Sequence, residues 1–221
     1  MTGDLINKGI AACKENNFEK GVVFFTEALK LNKNQTEALY NRARAYAKLD
    51  QQEDSLKDFA KLKELNPSNA SFIGDYAVSL HLNNRNKEAE NEFQLALKLE
   101  PNNPYRHSSL AFFKDRIGDH EAAIAAYEKA IALDPEDAVA LNNKGLIEEK
   151  LGRKEQSEAS FKRSNKIVGY DPQQKDLDQG VSLPEIRESQ LVTRIDVFKS
   201  LLTKEGLTDF LNFLKNIFNK K

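Results

Sequence analysis

The sequence is poor in cysteine: Cys13 is the only one, so no internal disulfide can form and nothing requires an oxidising compartment. It has no excess charge of either sign, with 33 Lys and Arg against 34 Asp and Glu. A dedicated nucleic-acid binder normally carries a basic face, so this balance argues against one. No run approaches the roughly 20 apolar residues of a membrane span. The opening stretch, MTGDLINKGIAACKENN, lacks the basic start and long apolar core of a secretory signal. The expectation is a soluble cytoplasmic protein. Chemical signatures are missing as well: there is no Gly-rich phosphate loop, no HExxH and no paired CxxC. With no nucleophile, base or ligand set in view, no catalytic residue, metal or cofactor is expected, and the chain is not read as an enzyme.

What the sequence does have is a period. From Pro104 to Asp137 it reads PYRHSSLAFFKDRIGDHEAAIAAYEKAIALDPED, two short amphipathic helices broken at Gly118-Asp119 and stopped at Pro135. Shifted by 34 residues, the same residue types return. One column holds Gly9, Ala43, Ala77, Ala111 and Gly145. A second holds Phe25, Phe59, Phe93, Tyr127 and Phe161. A third holds Gly21, Ser55, Ala89, Ala123 and Ser157, and a fourth Ala28, Leu62, Ala96, Ala130 and Ser164. Pro67, Pro101 and Pro135 close three of the units.

Each column has a physical reason. Small residues let the two helices of a hairpin approach, where a large side chain would overpack. The aromatic ring fills the space between one hairpin and the next. Proline lacks the N–H that would carry the helix onward. Leu62 departs from its small-residue column and predicts a wider contact in the second unit.

The helices of the first unit are expected near 4–15 and 18–31, with Asn16-Asn17 at the turn. Thr36 is placed as an N-cap of the second unit. Units are expected at 2–35, 36–69, 70–103, 104–137 and 138–171. Residues 172–183 lack periodicity and read as a connector. Ser182-Leu183-Pro184-Glu185 then has capping-box spacing. It opens a helix expected over 184–203, and Gly206 separates that from a strongly apolar helix over 207–219. The pair within 184–221 is read as a cap on the array.

This pattern resembles the tetratricopeptide-repeat family, most plainly in Ala111, Gly118, Ala123, Tyr127, Ala130 and Pro135. The resemblance implies an all-α fold: a right-handed superhelical α-solenoid of five tandem 34-residue helix-turn-helix repeats, here with two C-terminal helices. It also implies a concave groove lined by the first helices and used to hold peptides or partner proteins. Carried over by register, the groove residues are Ile6, Ile10, Tyr40, Asn41, Arg44, Val78, His81, Tyr105, Phe112, Asn142 and Leu146. The row of Ile10, Arg44, Val78, Phe112 and Leu146 is largely apolar, which suits an amphipathic helix. His81 and Asp115 occupy equivalent positions on neighbouring first helices and are expected to pair across the groove.

The two-carboxylate clamp of the family's co-chaperones finds only Asn41 in place. Asp75 stands where a cation is needed and would repel a carboxylate. The expected function is therefore a non-catalytic scaffold or adaptor that binds another protein, as a peptide or amphipathic helix. Nucleic acid is not expected as a partner, and membrane contact is disfavoured. The alternative is a self-associating or auto-inhibited scaffold. Its C-terminal amphipathic helix would occupy a groove, join two copies or touch a membrane surface.

Overall fold

A computed structural model describes residues 1–170, and the readings made for 171–221 lie outside the described residues. Among the described residues there are ten α-helices. They are α1 (Thr2–Lys14), α2 (Phe18–Leu31), α3 (Thr36–Lys48), α4 (Gln52–Leu65), α5 (Ala70–Leu82), α6 (Asn86–Leu99), α7 (Pro104–Arg116), α8 (His120–Leu133), α9 (Ala138–Lys150) and α10 (Lys154–Val168). Consecutive helices pair as hairpins, α1 with α2 through α9 with α10, and each second helix also packs on the next first helix.

The turns show why the period holds. Asn16, Asp50, Asn84, Gly118 and Gly152 stand 34 residues apart, and each adopts positive φ, between 60° and 87°. Asn, Asp and Gly are the residues that tolerate this left-handed conformation. Helix starts use side-chain caps where the sequence supplies them. The Asn69 carboxamide oxygen accepts from the N–H of Ser71 and Phe72, and Asp137 accepts from Ala140 N–H. The second unit differs from expectation: Gln35 holds the cap position and Thr36 is already helical.

Between the helices, the small-residue columns act as sockets. A methyl group on Gly145 would sit 2.7 Å from the Phe161 ring, and one on Gly9 would collide with Phe25. Each of these rings plugs into its own hairpin. Others reach onward: Phe93 of α6 lies 5.0 Å from Phe113 of α7, ring centre to ring centre. The last described hairpin is held by polar groups as well. Ser160 donates to the buried Glu148 carboxylate at 2.7 Å, Lys144 lies 3.2 Å from the same carboxylate, and Ser164 donates to the Ala138 carbonyl.

The curvature follows from the spacing of the two layers. Neighbouring first helices approach one another, α1 to α3, α5 to α7 and α7 to α9, whereas neighbouring second helices do not. A two-layer stack bends towards the layer that is more closely spaced, so the first helices form the inner wall. One joint in that wall is open. α3 and α5 stand apart, with Leu62 fully buried behind them on α4. The rings of Tyr40 and Phe72 meet across the gap at 5.8 Å.

Candidate functional site

The open joint is the candidate site. α3 contributes Tyr40 and Arg44, α5 contributes Phe72 and Asp75, and α7 contributes Tyr105 and Arg106. Tyr40 is wedged between Phe72 and Phe59, which it meets edge-on at 6.2 Å. The Arg44 guanidinium lies 5.5 Å from the Tyr40 ring centre, a cation–π distance. Arg106 is buried and fully engaged. It donates to Glu100 at 2.8 Å and Ser71 at 2.7 Å, lies 5.3 Å from the Tyr105 ring centre, and covers Gly74.

Asp75 lies between these two cations on the floor of the inner wall. It is half-buried: protein crowds its carboxyl on most sides and leaves an edge to solvent. Lost solvation raises its pKa from near 3.8 to about 7, while Arg44 and Arg106 pull it the other way. The Tyr105 phenol is driven well above its usual range, first by burial and then by the charge of Asp75. The joint thus brings together an aromatic cluster, a poorly solvated acid and the Arg44 cation.

The positions expected to line the groove divide into two sets. Tyr40, Arg44 and Tyr105 come together at the joint. Phe112 is half-buried further along the same wall, and Asn142 and Leu146 are exposed, Leu146 at 45%. Ile6 and Val78 do not line a groove: they are 1% and 4% exposed and belong to the packed interior. Ile6 packs with Phe25 and Leu39 in the core of the first two hairpins. Ile10 is half-buried against that same core. Asn41 turns onto its own helix and donates to the Glu37 carbonyl at 2.8 Å.

The pair expected between His81 and Asp115 does not form. His81 Nδ1 lies 2.7 Å from Asn86 Oδ1, and its ring meets Phe113 edge-on at 5.4 Å. Asp115 Oδ1 lies 2.9 Å from His120 Nδ1, at an angle that leaves both atoms without a hydrogen bond, so this is an electrostatic contact only. His107 is a core residue whose Nε2 bonds the Pro101 carbonyl. Cys13 is half-buried over Gly21, and burial raises its thiol pKa, which lowers the thiolate fraction.

Three residues of the joint were not among the expected set: Phe72, Asp75 and Arg106. Their signal was departure from the repeat. Phe72 and Arg106 occupy a column that reads Asp4, Ala38, Phe72, Arg106 and Ala140. A bulky or charged residue where neighbouring units use alanine reshapes the wall locally. A polar, open cleft of 590 Å³ also lies along the Asn66–Ser71 turn and Glu100, outside the aromatic cluster. Among the described residues, no cluster of three or more His, Cys, Asp or Glu could hold a metal, and no helix is long and apolar enough to cross a membrane.

These features match known proteins at the level of family. Two tetratricopeptide-repeat profiles match residues 36–69 and 138–167, and a third, described as a TPR repeat, matches 116–152. Human tetratricopeptide repeat protein 6 is 29% identical over 143 residues, 63% of this chain and 27% of its own length. Hsp70-Hsp90 organizing protein 3 of Arabidopsis thaliana is 34% identical over 97 residues, 43% of this chain and 17% of its own. The chain therefore spans about a quarter or less of the curated relatives it matches.

Among solved structures, MamA from Desulfovibrio magneticus RS-1 superposes with TM-score 0.62 at 20% identity, covering 80% of this chain and 97% of that one. YrrB, described as a TPR protein with an unusual peptide-binding site, superposes with TM-score 0.55 at 19% identity, covering 74% and 84%. The chain belongs to the tetratricopeptide-repeat family, and its fold is an α-solenoid.

Proposed function

We propose that this protein is a non-catalytic cytoplasmic adaptor that holds a segment of a partner protein, as a peptide or amphipathic helix, along its inner wall. The α3–α5 joint carries the reading. There the first helices stand apart and Tyr40, Phe72 and Tyr105 gather as an aromatic cluster, with Arg44 and Asp75 beside it. Aromatic side chains supply large contact area, and a few placed charges orient a ligand; both are hallmarks of binding surfaces. Retention of a poorly solvated acid supports the same conclusion. A carboxyl whose ionisation the fold opposes is a cost that packing alone would not select. Asp75 beside Arg44 disfavours an acidic tail and favours a segment with its own cation facing α5. Phe112 and Leu146 extend the wall with apolar contacts for the rest of the segment.

The test is selection from a displayed library of random 16-residue peptides against the full chain, followed by titration of the selected peptides. Phe112→Glu is expected to weaken them about 10-fold or more, with the helical circular dichroism spectrum unchanged because Phe112 is only half-buried. Asp75→Lys is expected to reject peptides carrying Lys or Arg at the matching position. Equal binding by wild type and both variants would refute the assignment of the site. Val78→Asp is not a usable probe, since it places a charge in the packed interior and would unfold the array.

A further inference from the structure

At mid-height the inner wall presents one accessible side chain per first helix. On α5 it is Asp75, because Val78, one turn further along, is buried. On α7 it is the half-buried Phe112, and on α9 the exposed Leu146. Around the two apolar side chains the wall is polar. Ser108 and Asn142 stand one turn before them, and Asp115 and Glu149 one turn after. Tyr105 and Val139 lie two turns away, at the helix starts. Packed helices stand about 8–10 Å apart, and α5 approaches α7 as α7 approaches α9. Asp75 is offset from the Phe112 register by about 4.5 Å along the helix, which lengthens the first step only slightly. An acid and two apolar groups thus follow one another at about 10 Å across the wall.

A segment laid along this line must return a side chain to one face at that interval. A β-strand does not: its same-face residues recur at about 6.7 Å and then about 13 Å. An α-helix does, every seventh residue, at about 10.5 Å. Its buried stripe, however, carries three or four apolar residues per two turns, and the polar surroundings of Phe112 and Leu146 give the intervening ones no apolar contact. A polyproline II segment returns every third residue, at about 9.3 Å, and places nothing else on that face. Its backbone groups stay open to hydrogen bonding, and Asn142, exposed one turn from Leu146, offers both a donor and an acceptor. Aromatic side chains such as Phe112 are the surfaces on which such segments pack.

Resting on the adaptor reading above, we infer that the segment this wall takes is a polyproline II stretch, with a basic residue against Asp75 and apolar residues three and six positions away against Phe112 and Leu146. Arg44, on α3 beyond Asp75, disfavours a second basic residue at the next step.

Fluorescence titration of the full chain with labelled synthetic peptides tests this, at pH 8, where Asp75 is ionised. The peptide Arg-Pro-Pro-Leu-Pro-Pro-Leu and its reversed sequence are set against versions spaced by two and by four residues, and against an alanine-rich helix carrying one Arg and two Leu seven apart. One of the two three-residue spacings should bind at least about 10-fold more tightly than every other spacing. Replacing its Arg with Ala should weaken it about 10-fold on wild type and less than about 2-fold on Asp75→Asn. Leu146→Asp changes an exposed position outside the core. It should weaken the same peptide about 10-fold, and a peptide lacking the distal Leu less than about 2-fold. Unchanged circular dichroism checks that both variants fold. Tighter binding of the helix, binding indifferent to spacing, or binding unmoved by either variant overturns the inference and leaves the adaptor reading in place. No binding by any of these peptides also overturns it, and the adaptor reading falls too if the random library yields no binder.

Discussion

Replacing Phe113 with alanine will cost about 3–5 kcal/mol and will split the unfolding of the array into two transitions. Phe113 is fully buried, and its ring joins Phe93 of α6 at 5.0 Å to His81 of α5 at 5.4 Å. The cost is that of a large aromatic removed from a core that cannot collapse around the void. The split follows from where the ring sits. Among the junctions between successive hairpins, the one between α6 and α7 has the sparsest backbone contact, so side chains carry more of the coupling there. In a solenoid, stability is the sum of each unit and its interfaces, so weakening one interface uncouples the two sides. Urea unfolding followed by circular dichroism should change from one sigmoid to two. A single transition displaced by less than about 1 kcal/mol would show that the joint does not depend on this ring.

Much of the architecture was legible because the repeat is dictated by local chemistry. The socket columns, the aromatic column and the left-handed turn residues each serve one geometric need in every unit, so they recur in the sequence. Burial on the inner wall was less legible. Val78 and Leu146 share a column, yet one is 4% exposed and the other 45%. Register fixes the direction of a side chain, but exposure depends on the size of its neighbours on adjacent helices, which a column does not encode. His81 failed for a related reason. Equivalent positions on neighbouring helices suggested Asp115, but Asn86, five residues on, and Phe113 claim its ring first.

The candidate site was half visible. Tyr40, Arg44 and Tyr105 fall at positions where the family presents side chains inward. Phe72 and Arg106 do not, because their column is otherwise largely alanine and carries no inward signal. Asp75 was visible only as an obstacle to a carboxylate clamp. Its importance depends on how little water reaches it, and that is set by residues from three helices.

Asp75 also supplies the pH-dependent prediction. Its pKa is raised to about 7 in the folded protein, against about 3.9 in an unfolded chain. Above pH 7 both states are ionised, and the folded state bears the full penalty of a poorly solvated carboxylate. Between pH 7 and pH 4 the folded state holds a proton that the unfolded state has released. Stability from this group therefore rises as pH falls, and the penalty is gone below about pH 4. Asparagine has no such ionisation. Asp75→Asn should stabilise the protein by about 2 kcal/mol at pH 8, after discounting for the water that does reach the carboxyl, and by almost nothing at pH 4. The same variant should bind cation-bearing peptides more weakly at pH 8. Wild-type affinity for those peptides should climb through pH 7 as the acid ionises, while the variant's stays flat. A gain in stability joined to a loss of binding is the behaviour of a residue kept for its ligand. If Asp75→Asn instead destabilises the fold at pH 8, the carboxylate is a structural partner of Arg44 and Arg106, and the joint must draw its specificity from the aromatic cluster alone.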